Sequence, residues 1–184
     1  MGLRVRPRIR RRRRVMAVAL VIGLVLVSTV TARLFVWPDL PAPPPRVDAV
    51  IELGGPGDRD AVALNLGRAH RAAFLVQSTT PDDARSGWCL PPISGVAILC
   101  FHPDPNTTRG EARYIGQEAR RRHWSSVIVV TTPDHAWRAR LEIGRCFSGA
   151  VYVVTAALPP VMWFRQIPYQ WVATTKALIF ERSC

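Results

Sequence analysis

Acidic side chains are absent from the first 38 residues of this chain, and charge of either sign is absent from residues 15–32. Residues 15–32 therefore cannot form an ordinary helix with one charged, water-facing side. As a helix rising about 1.5 Å per residue, it would cover most of the hydrocarbon core of a bilayer. Eight arginines precede it within residues 1–14, and Arg33 and Trp37 follow it. We therefore expect a basic segment at 1–14 and a transmembrane signal-anchor helix at 15–37.

The arginine cluster also predicts the orientation of this anchor. Basic residues beside a first apolar segment stay on the cytoplasmic side, so the rest of the chain should lie outside the cytoplasm, held to the plasma membrane by a single pass. A cleaved signal peptide is the alternative, with residues 30–32 as the small-residue site. Secretory signals have apolar cores of about 7–15 residues. Because this core is longer, an uncleaved anchor is favoured.

The net charge of +12 could suggest a nucleic-acid partner, but its distribution argues against one. Nine of the excess positive charges lie in residues 1–33, which leaves +3 for the rest of the chain. Nucleic-acid-binding domains concentrate basic residues on the folded domain itself. We therefore expect no nucleic-acid partner, and we expect the leading arginines to contact the headgroups of the membrane.

Metal-binding patterns are also missing, since the sequence has no CxxC pair and no Cys/His cluster at zinc-ligand spacing. We expect no metal site. The four cysteines lie in the predicted exported part, where disulfides persist. Of the three possible pairings we favour Cys89 with Cys100, which would attach a proline-rich loop to a strand end. Cys146 would then pair with Cys184, and each bridge would contribute about 3 kcal/mol to stability.

Residues 38–46 contain five prolines, which disfavour helix and central strand because proline lacks the N–H donor. We expect a stiff linker there and one α/β domain at 47–184, in which short β-branched runs alternate with helical spacing. Strands apolar on both faces are typical of parallel sheets covered by helices. The expected fold is therefore Rossmann-like, a mainly parallel sheet with helices on both faces. The predicted strands are 47–53, 73–77, 95–101, 126–132 and 150–155, and the predicted helices are 60–71, 108–122 and 135–147.

The last segment, residues 162–180, has helical character and should be interrupted near Pro168. Its large apolar side chains, among them Trp163, Phe164, Trp171 and Ile179, leave two interpretations. The segment could pack on the domain or lie against the membrane. Packing is the commoner outcome and is favoured.

Three polar loops follow predicted strands, at residues 54–59, 102–111 and 131–135. Ligands of open parallel sheets bind beyond the carboxyl ends of the strands, so these loops should meet at one edge. Gly54 and Gly55 would let backbone N–H groups approach an anion, although they could simply form a tight turn. Glu111 could be an acid/base group or the end of a capping box that begins at residue 107 or 108. His135 and Arg138 lie one turn apart and could pair proton transfer with anion binding, although a histidine at a helix start is often structural.

These segments carry a resemblance to a known family. The sequences DAVIELGG (48–55), NTTRGEA (106–112) and VVTTPDHAWRA (129–139) resemble the SanA/ElyC/YdcF-like envelope proteins, long catalogued as a domain of unknown function. The most specific part is HxxRA at 135–139, and the resemblance covers roughly residues 48–155. It implies a Rossmann-like domain, often membrane-anchored, linked to envelope integrity or to polysaccharide and peptidoglycan metabolism. The pocket positions of the family correspond here to Gly54, Gly55, Thr108, Glu111, His135 and Arg138.

The chain departs from the family at two places. Many members have Asn where this chain has Glu111, and the SGG-like turn after the second strand is here Ser78-Thr79-Thr80. Either change could alter the ligand.

A ratio of 24 arginines to one lysine is typical of high-GC bacteria.

The leading hypothesis is an anchored envelope protein that binds a phosphorylated or lipid-linked precursor. If the protein is an enzyme, it would also transform that precursor. Gly54, Gly55 and Thr108 would hold the ligand and Arg138 would neutralise its charge, while His135 and Glu111 would serve as acid and base. The alternative is a non-catalytic ligand-binding or regulatory module of envelope integrity. The sequence identifies no cofactor, and it leaves open whether turnover occurs.

Overall fold

A computed structural model describes residues 7–184, apart from the side chains of residues 7–10, 81, 84 and 85. Residues 1–6, the start of the predicted basic segment, lie outside the described residues. Helix α1 (Pro7–Thr31) continues into a short π-helix (Ala32–Val36). The stretch Arg11–Val36 is long and apolar enough to cross a membrane, and its most apolar window is not buried against the rest of the protein. An N-terminal helix that could act as an anchor is therefore confirmed.

Five parallel strands form one sheet with the order β3-β2-β1-β4-β5. Each strand overlaps one of the predicted β-branched runs, and the α/β Rossmann-like fold is confirmed. The strand order reverses between β1 and β4, and open sheets of this kind bind ligands at such a switch point. The strands are β1 (Ala49–Glu52), β2 (Phe74–Ser78), β3 (Ala97–Phe101), β4 (Ser126–Thr131) and β5 (Ala150–Thr155).

Helices cover both faces of this sheet. On one face Ile115 and Ile143 pack in a core cluster with Ile51 of β1. On the other face Ala63 packs in a second cluster with Val50, the neighbouring residue of β1. Successive residues of β1 thus enter opposite clusters, as expected for a central strand. The helices after α1 are α2 (Arg59–Arg68), α3 (Pro81–Ser86), α4 (Thr108–Arg122), α5 (Pro133–Cys146) and α6 (Trp163–Ile179).

Local sequence explains how the two helices beside the switch point begin. The Thr107 hydroxyl accepts a hydrogen bond from the Gly110 N–H and caps α4. Gly110 is also required by packing, because a Cβ there would overlap the carbonyl of Pro105 in the preceding loop. Pro133 occupies the first turn of α5, where its missing N–H removes no helical bond. Both helix starts therefore lie beyond strand ends at the same edge of the sheet.

The cysteines pair as predicted, and the proline-rich segment has no regular secondary structure. Residues 38–46 contain neither helix nor strand, and the Pro44 carbonyl accepts a hydrogen bond from Arg71 at 2.6 Å. Both favoured disulfides are present, Cys89–Cys100 and Cys146–Cys184. The second attaches the C-terminal segment to the end of α5.

Two elements differ from expectation. Helix α3 was not predicted, yet Thr80 and Asp83 form a capping box around Pro81 at its start. Helix α6 runs without interruption through Pro168. Pro168 and the residue four before it, Phe164, are both exposed, so the carbonyl that loses its partner can be solvated. The predicted break there is wrong, whereas the favoured packing of α6 on the domain is found, against α5.

Candidate functional site

A cavity of about 400 Å³ lies at the carboxyl ends of β1 and β4. Its walls come from the loops after β1, β2 and β3, the first turns of α4 and α5, and one side of α6. The structure brings all six sequence-predicted site residues to this cavity. Those residues are Gly54, Gly55, Thr108, Glu111, His135 and Arg138.

Glu111 fixes the loop after β1 to α4. Its Oε1 accepts a hydrogen bond from the Gly54 N–H at 2.8 Å, and its carboxylate also bonds to Ser78. Burial raises the pKa of Glu111, and the bonds from Ser78 and Gly54 oppose that rise. Because Thr107 is the N-cap of α4, Glu111 falls one position beyond a capping box, and the capping interpretation is wrong. A ligand that used the Gly54 N–H would have to displace Glu111.

Arg59 joins the two strands of the switch point. It is buried, and it donates to the carbonyls of Leu53, Gly54 and Pro56 in the loop after β1. Its Nη2 donates to the Thr132 hydroxyl after β4 at 3.0 Å. Burial lowers the pKa of Arg59, and the nearby carboxylates oppose that shift. Four of its five N–H groups thus donate hydrogen bonds within the protein.

Gly55 leaves room for this guanidinium. It has φ of +127°, and a Cβ there would lie 3.1 Å from Arg59 Nη2. Both the backbone conformation and the close approach favour glycine. The second glycine of the pair therefore has a structural requirement whatever the cavity binds.

His135 lies between two threonine hydroxyls. Its Nδ1 is 2.8 Å from Thr131 Oγ1, and its Nε2 is 3.1 Å from Thr108 Oγ1. Burial lowers the pKa of His135 well below its usual range, and the positive charges of Arg138 and Arg59 lower it further. The imidazole is therefore neutral at pH 7, with one nitrogen available as an acceptor.

Arg138 faces the cavity from the next turn of α5. Its Nη1 donates to Thr108 Oγ1 at 2.9 Å and to Glu142 Oε1 at 3.2 Å, and its Nε donates to Gln170 at 3.0 Å. The guanidinium carbon lies 5.9 Å from the centre of the Tyr169 ring. Nη2 takes part in none of these bonds. Arg138 is thus held by its neighbours, and Nη2 remains as the nitrogen that could donate to a ligand.

Helix α6 closes this side of the cavity. The Gln170 amide donates to Asp134 Oδ2 at 3.0 Å and accepts from Arg138, so it links α6 to the start of α5. Asp134 Oδ1 is buried and has no hydrogen-bond partner among the described residues. Because Arg165 and Tyr169 also line the cavity, the C-terminal helix is part of the site.

A second cavity, lined by acidic side chains, lies beside the first cavity. Glu52, at the end of β1, lines a neighbouring cavity of about 380 Å³ together with Asp60 and Asp83. Burial raises the pKa of Glu52 to about 9, and the hydrogen bond and charge of Asp60 add to the rise. Glu52 is therefore protonated at neutral pH. Its Oε2 has no partner among the described residues.

Three residues of the site, Arg59, Asp134 and Gln170, were not predicted from the sequence. Arg59 and Asp134 lie in the polar loops that follow predicted strands, whereas Gln170 lies in the helix interpreted only by its apolar residues. The position of Arg59 just after GGPGD could have indicated its role. A glycine-rich loop that closes on itself needs hydrogen-bond donors for its carbonyls, and an adjacent arginine can supply them. Nothing local to Gln170 could have indicated its partners, which come from α5.

Comparison of the chain with protein-family models, with curated proteins and with solved structures finds no match. Thr108 is placed like a hydroxyl that a histidine could deprotonate, with Thr131 orienting the ring from the other side. Arg138 contacts the same hydroxyl, where its charge would stabilise an anion. The arrangement suits a ligand with negative charge and hydroxyl groups.

Proposed function

We propose that the switch-point cavity binds a phosphorylated or lipid-linked precursor in cell-envelope metabolism. The observation that carries this proposal is the guanidinium of Arg138, which is fixed by Thr108, Glu142 and Gln170, while its Nη2 forms no hydrogen bond to a described residue. Two of its five N–H donors remain, both on Nη2, and a rigid, permanently charged guanidinium with donors left over is well suited to phosphate oxygens.

The surroundings favour an anion as well. Thr108 lies in the first turn of α4, a helix of 15 residues whose N-terminus carries partial positive charge. Arg165 adds a further cation at the α6 side of the cavity. The carboxyl of Glu111 opposes these charges less than an ordinary glutamate would, since burial raises its pKa toward the neutral form.

The assignment to envelope metabolism rests on the resemblance to the SanA/ElyC/YdcF-like proteins. It gains support from the positions of the matching residues, because the loop, the threonine motif and HxxRA all border one cavity.

We further propose an uncleaved anchor with the domain outside the cytoplasm. The Trp171 indole donates to the Thr31 hydroxyl at the end of α1, and cleavage after residue 32 would remove that partner. The two disulfides fit an oxidising compartment. An alkaline-phosphatase fusion after residue 45 should be active, because that reporter matures only outside the cytoplasm. An inactive fusion expressed at normal level would reverse the orientation.

In the enzymatic form of the proposal, His135 accepts a proton from Thr108 or from a ligand hydroxyl that displaces it. A neutral imidazole is the state that can do so. Glu111 on the opposite wall would return a proton as an acid. Each residue keeps its own hydrogen-bond partners, so the ligand would connect the two groups.

Binding can be tested with the full chain in nanodiscs, by calorimetric titration with inorganic phosphate and with a polyisoprenyl phosphate. Arg138→Gln should weaken binding at least tenfold, since it removes the charge and the Nη2 donors. Arg140→Gln is the matched control, because Arg140 is exposed on the same helix and lies outside the cavity. Equal affinities for the two variants would contradict the proposed site.

A non-catalytic binding module is the second candidate. One observation favours it, namely that both ring nitrogens of His135 already have hydroxyl partners. His135→Gln separates the two forms. An enzyme should lose turnover while keeping ligand affinity, whereas a binding module should show only the change in affinity.

A further inference from the structure

Helix α6 carries a row of apolar side chains that no described residue covers. Phe164, Val172 and Ile179 are 89%, 72% and 51% exposed. Their spacing, with Pro168 between the first two, puts them on one side of the helix. The buried side chains Gln170, Thr174 and Ala177 lie on the other side, toward the domain. We call the outward row the α6 apolar face, and its apolar residues are Phe164, Pro168, Val172 and Ile179. Thr175 lies among them, with its hydroxyl donating to the Trp171 carbonyl at 2.8 Å.

This face is large for a protein surface. From Phe164 to Ile179 it extends about 22 Å along the helix at about 1.5 Å per residue. Val161 before the helix and Phe180 after it are 79% and 78% exposed and lengthen it at both ends. An apolar surface of this extent marks a site of interaction with a protein or a membrane.

The position of α1 indicates which of these it is. Trp171, midway along α6, donates its indole N–H to Thr31 Oγ1 at 3.1 Å. Its ring also packs edge-on against Phe35 at 5.4 Å, and Phe35 is fully buried. Thr31 ends α1 and lies at the far end of the apolar span. If α1 crosses a bilayer, the middle of α6 is therefore held at the level of its interface, where tryptophan is enriched.

Charged side chains lie beside the apolar face. Arg165 and Lys176 are both exposed, and eleven residues place them about three turns apart on the same side of α6. Lys176 also forms an ion pair with Glu181 at 3.0 Å. An apolar face with cations at its border is typical of helices that lie in the headgroup region of a membrane.

We infer that the α6 apolar face lies in the outer-leaflet interface of the membrane that α1 crosses. Because Arg165, Gln166, Tyr169 and Gln170 of the same helix line the cavity, this placement sets the cavity at headgroup level. A ligand could then put its phosphate against Arg138 while its hydrocarbon tail stays in the bilayer. The identity of the ligand and the choice of the outer leaflet rest on the proposed function and orientation. The placement of α6 at an interface beside α1 rests on the contacts of Trp171 with Thr31 and Phe35.

The placement can be measured on the full chain in vesicles of phosphatidylcholine and phosphatidylglycerol. The described residues contain no free cysteine, so single spin labels can be attached at Phe164→Cys, Val172→Cys or Ile179→Cys. Asn65→Cys, exposed on α2 across the sheet, is the matched control. The three α6 labels should collide more often with oxygen and less often with a water-soluble nickel chelate than the control. They should report similar depths of about 5–10 Å.

Three results would overturn the inference. Nickel accessibility equal to that of the control would place α6 in water. Low accessibility to both reagents would mean that a protein, such as a second copy of this chain, covers the face. A steady change of depth from position 164 to 179 would mean that α6 stands upright instead of lying in the interface.

A second experiment links this placement to the ligand. The double variant Phe164→Asp and Val172→Asp should bind a polyisoprenyl phosphate in nanodiscs at least tenfold more weakly than the parent. Its affinity for inorganic phosphate should be unchanged, since the cavity is intact. An unchanged affinity for the lipid would overturn the role of α6 in delivery. A parent protein that binds neither probe would contradict the proposed function and leave the depth measurements as the test of the placement.

Discussion

Arg59→Ala should destabilise the protein by about 3–5 kcal/mol. Arg59 is 3% exposed and supplies hydrogen bonds to three carbonyls and to the Thr132 hydroxyl. Those carbonyls belong to a loop closed on itself between β1 and α2. Alanine would leave them facing a void, and buried polar groups without partners are costly.

The magnitude follows from the number and type of these bonds. A hydrogen bond from a charged donor contributes about 1.5–3 kcal/mol, but bonds to one side chain are not additive, and water can enter the space. Removing one member of a buried charged network costs about 3–5 kcal/mol. For a chain of this size, 1 kcal/mol corresponds to about 2–4 °C. Arg59→Ala should therefore lower the melting temperature by roughly 6–20 °C.

The melting temperature can be followed by intrinsic tryptophan fluorescence of the full chain in detergent, since Trp124 is buried in the core. Arg68→Ala is the control, because Arg68 is exposed at the end of the same helix. A surface substitution there should change stability by no more than about 0.5 kcal/mol. If the two variants melt within about 2 °C of each other, about 1 kcal/mol or less, Arg59 does not hold the switch point together.

Three further outcomes are expected. Gly110→Ala should destabilise the domain by several kcal/mol or prevent folding, because its Cβ would overlap the Pro105 carbonyl. Glu52→Gln should stabilise the protein increasingly between pH 4.5 and about 9, since the folded carboxyl keeps a proton over this range that the unfolded chain releases. Cys184→Ser should cost about 4 kcal/mol by opening a loop of 38 residues to Cys146.

Each of these outcomes has its own check in the same melting assay. Gly144→Ala places a Cβ in open space on α5 and should be neutral or slightly stabilising. Equal effects at the two glycines would contradict the steric reason. The gain from Glu52→Gln should vanish at pH 4.5, and a gain independent of pH would contradict the raised pKa. Reducing the parent protein should reproduce at least the loss seen for Cys184→Ser, and a reduced protein that melts like the oxidised one would contradict the contribution of the bridge.

Much of the fold could be predicted because its signals are local. The run at residues 126–132 is β-branched and apolar on both faces, and it forms β4 almost to the residue. The threonine before residue 108 marks the start of α4 because a hydroxyl can cap a helix wherever the chain folds. Strand position then predicted the cavity, since loops at the same ends of parallel strands gather at one edge.

What could not be predicted depends on partners distant in sequence. An arginine at the start of an amphipathic helix is usually solvated, and only the folded loop after β1 shows that Arg59 is buried. Gln170 bonds to Arg138 and Asp134, more than 30 residues away. The continuity of α6 likewise depends on its surroundings. Pro168 is exposed, so the carbonyl that loses its N–H partner there can bond to water.

The two buried arginines at the switch point, Arg59 and Arg138, have different hydrogen-bond partners. Arg59 has committed four N–H groups to the loop after β1 and to Thr132, so a ligand can gain little from it without opening the loop. Arg138 has committed three, and each of its acceptors is a side chain on α4, α5 or α6. A ligand that bound Nη2 would therefore affect three helices at once. Because α6 is one of them, any ligand that binds there is energetically linked to the position of the C-terminal helix, and the effect of each on the other is equal in size and sign.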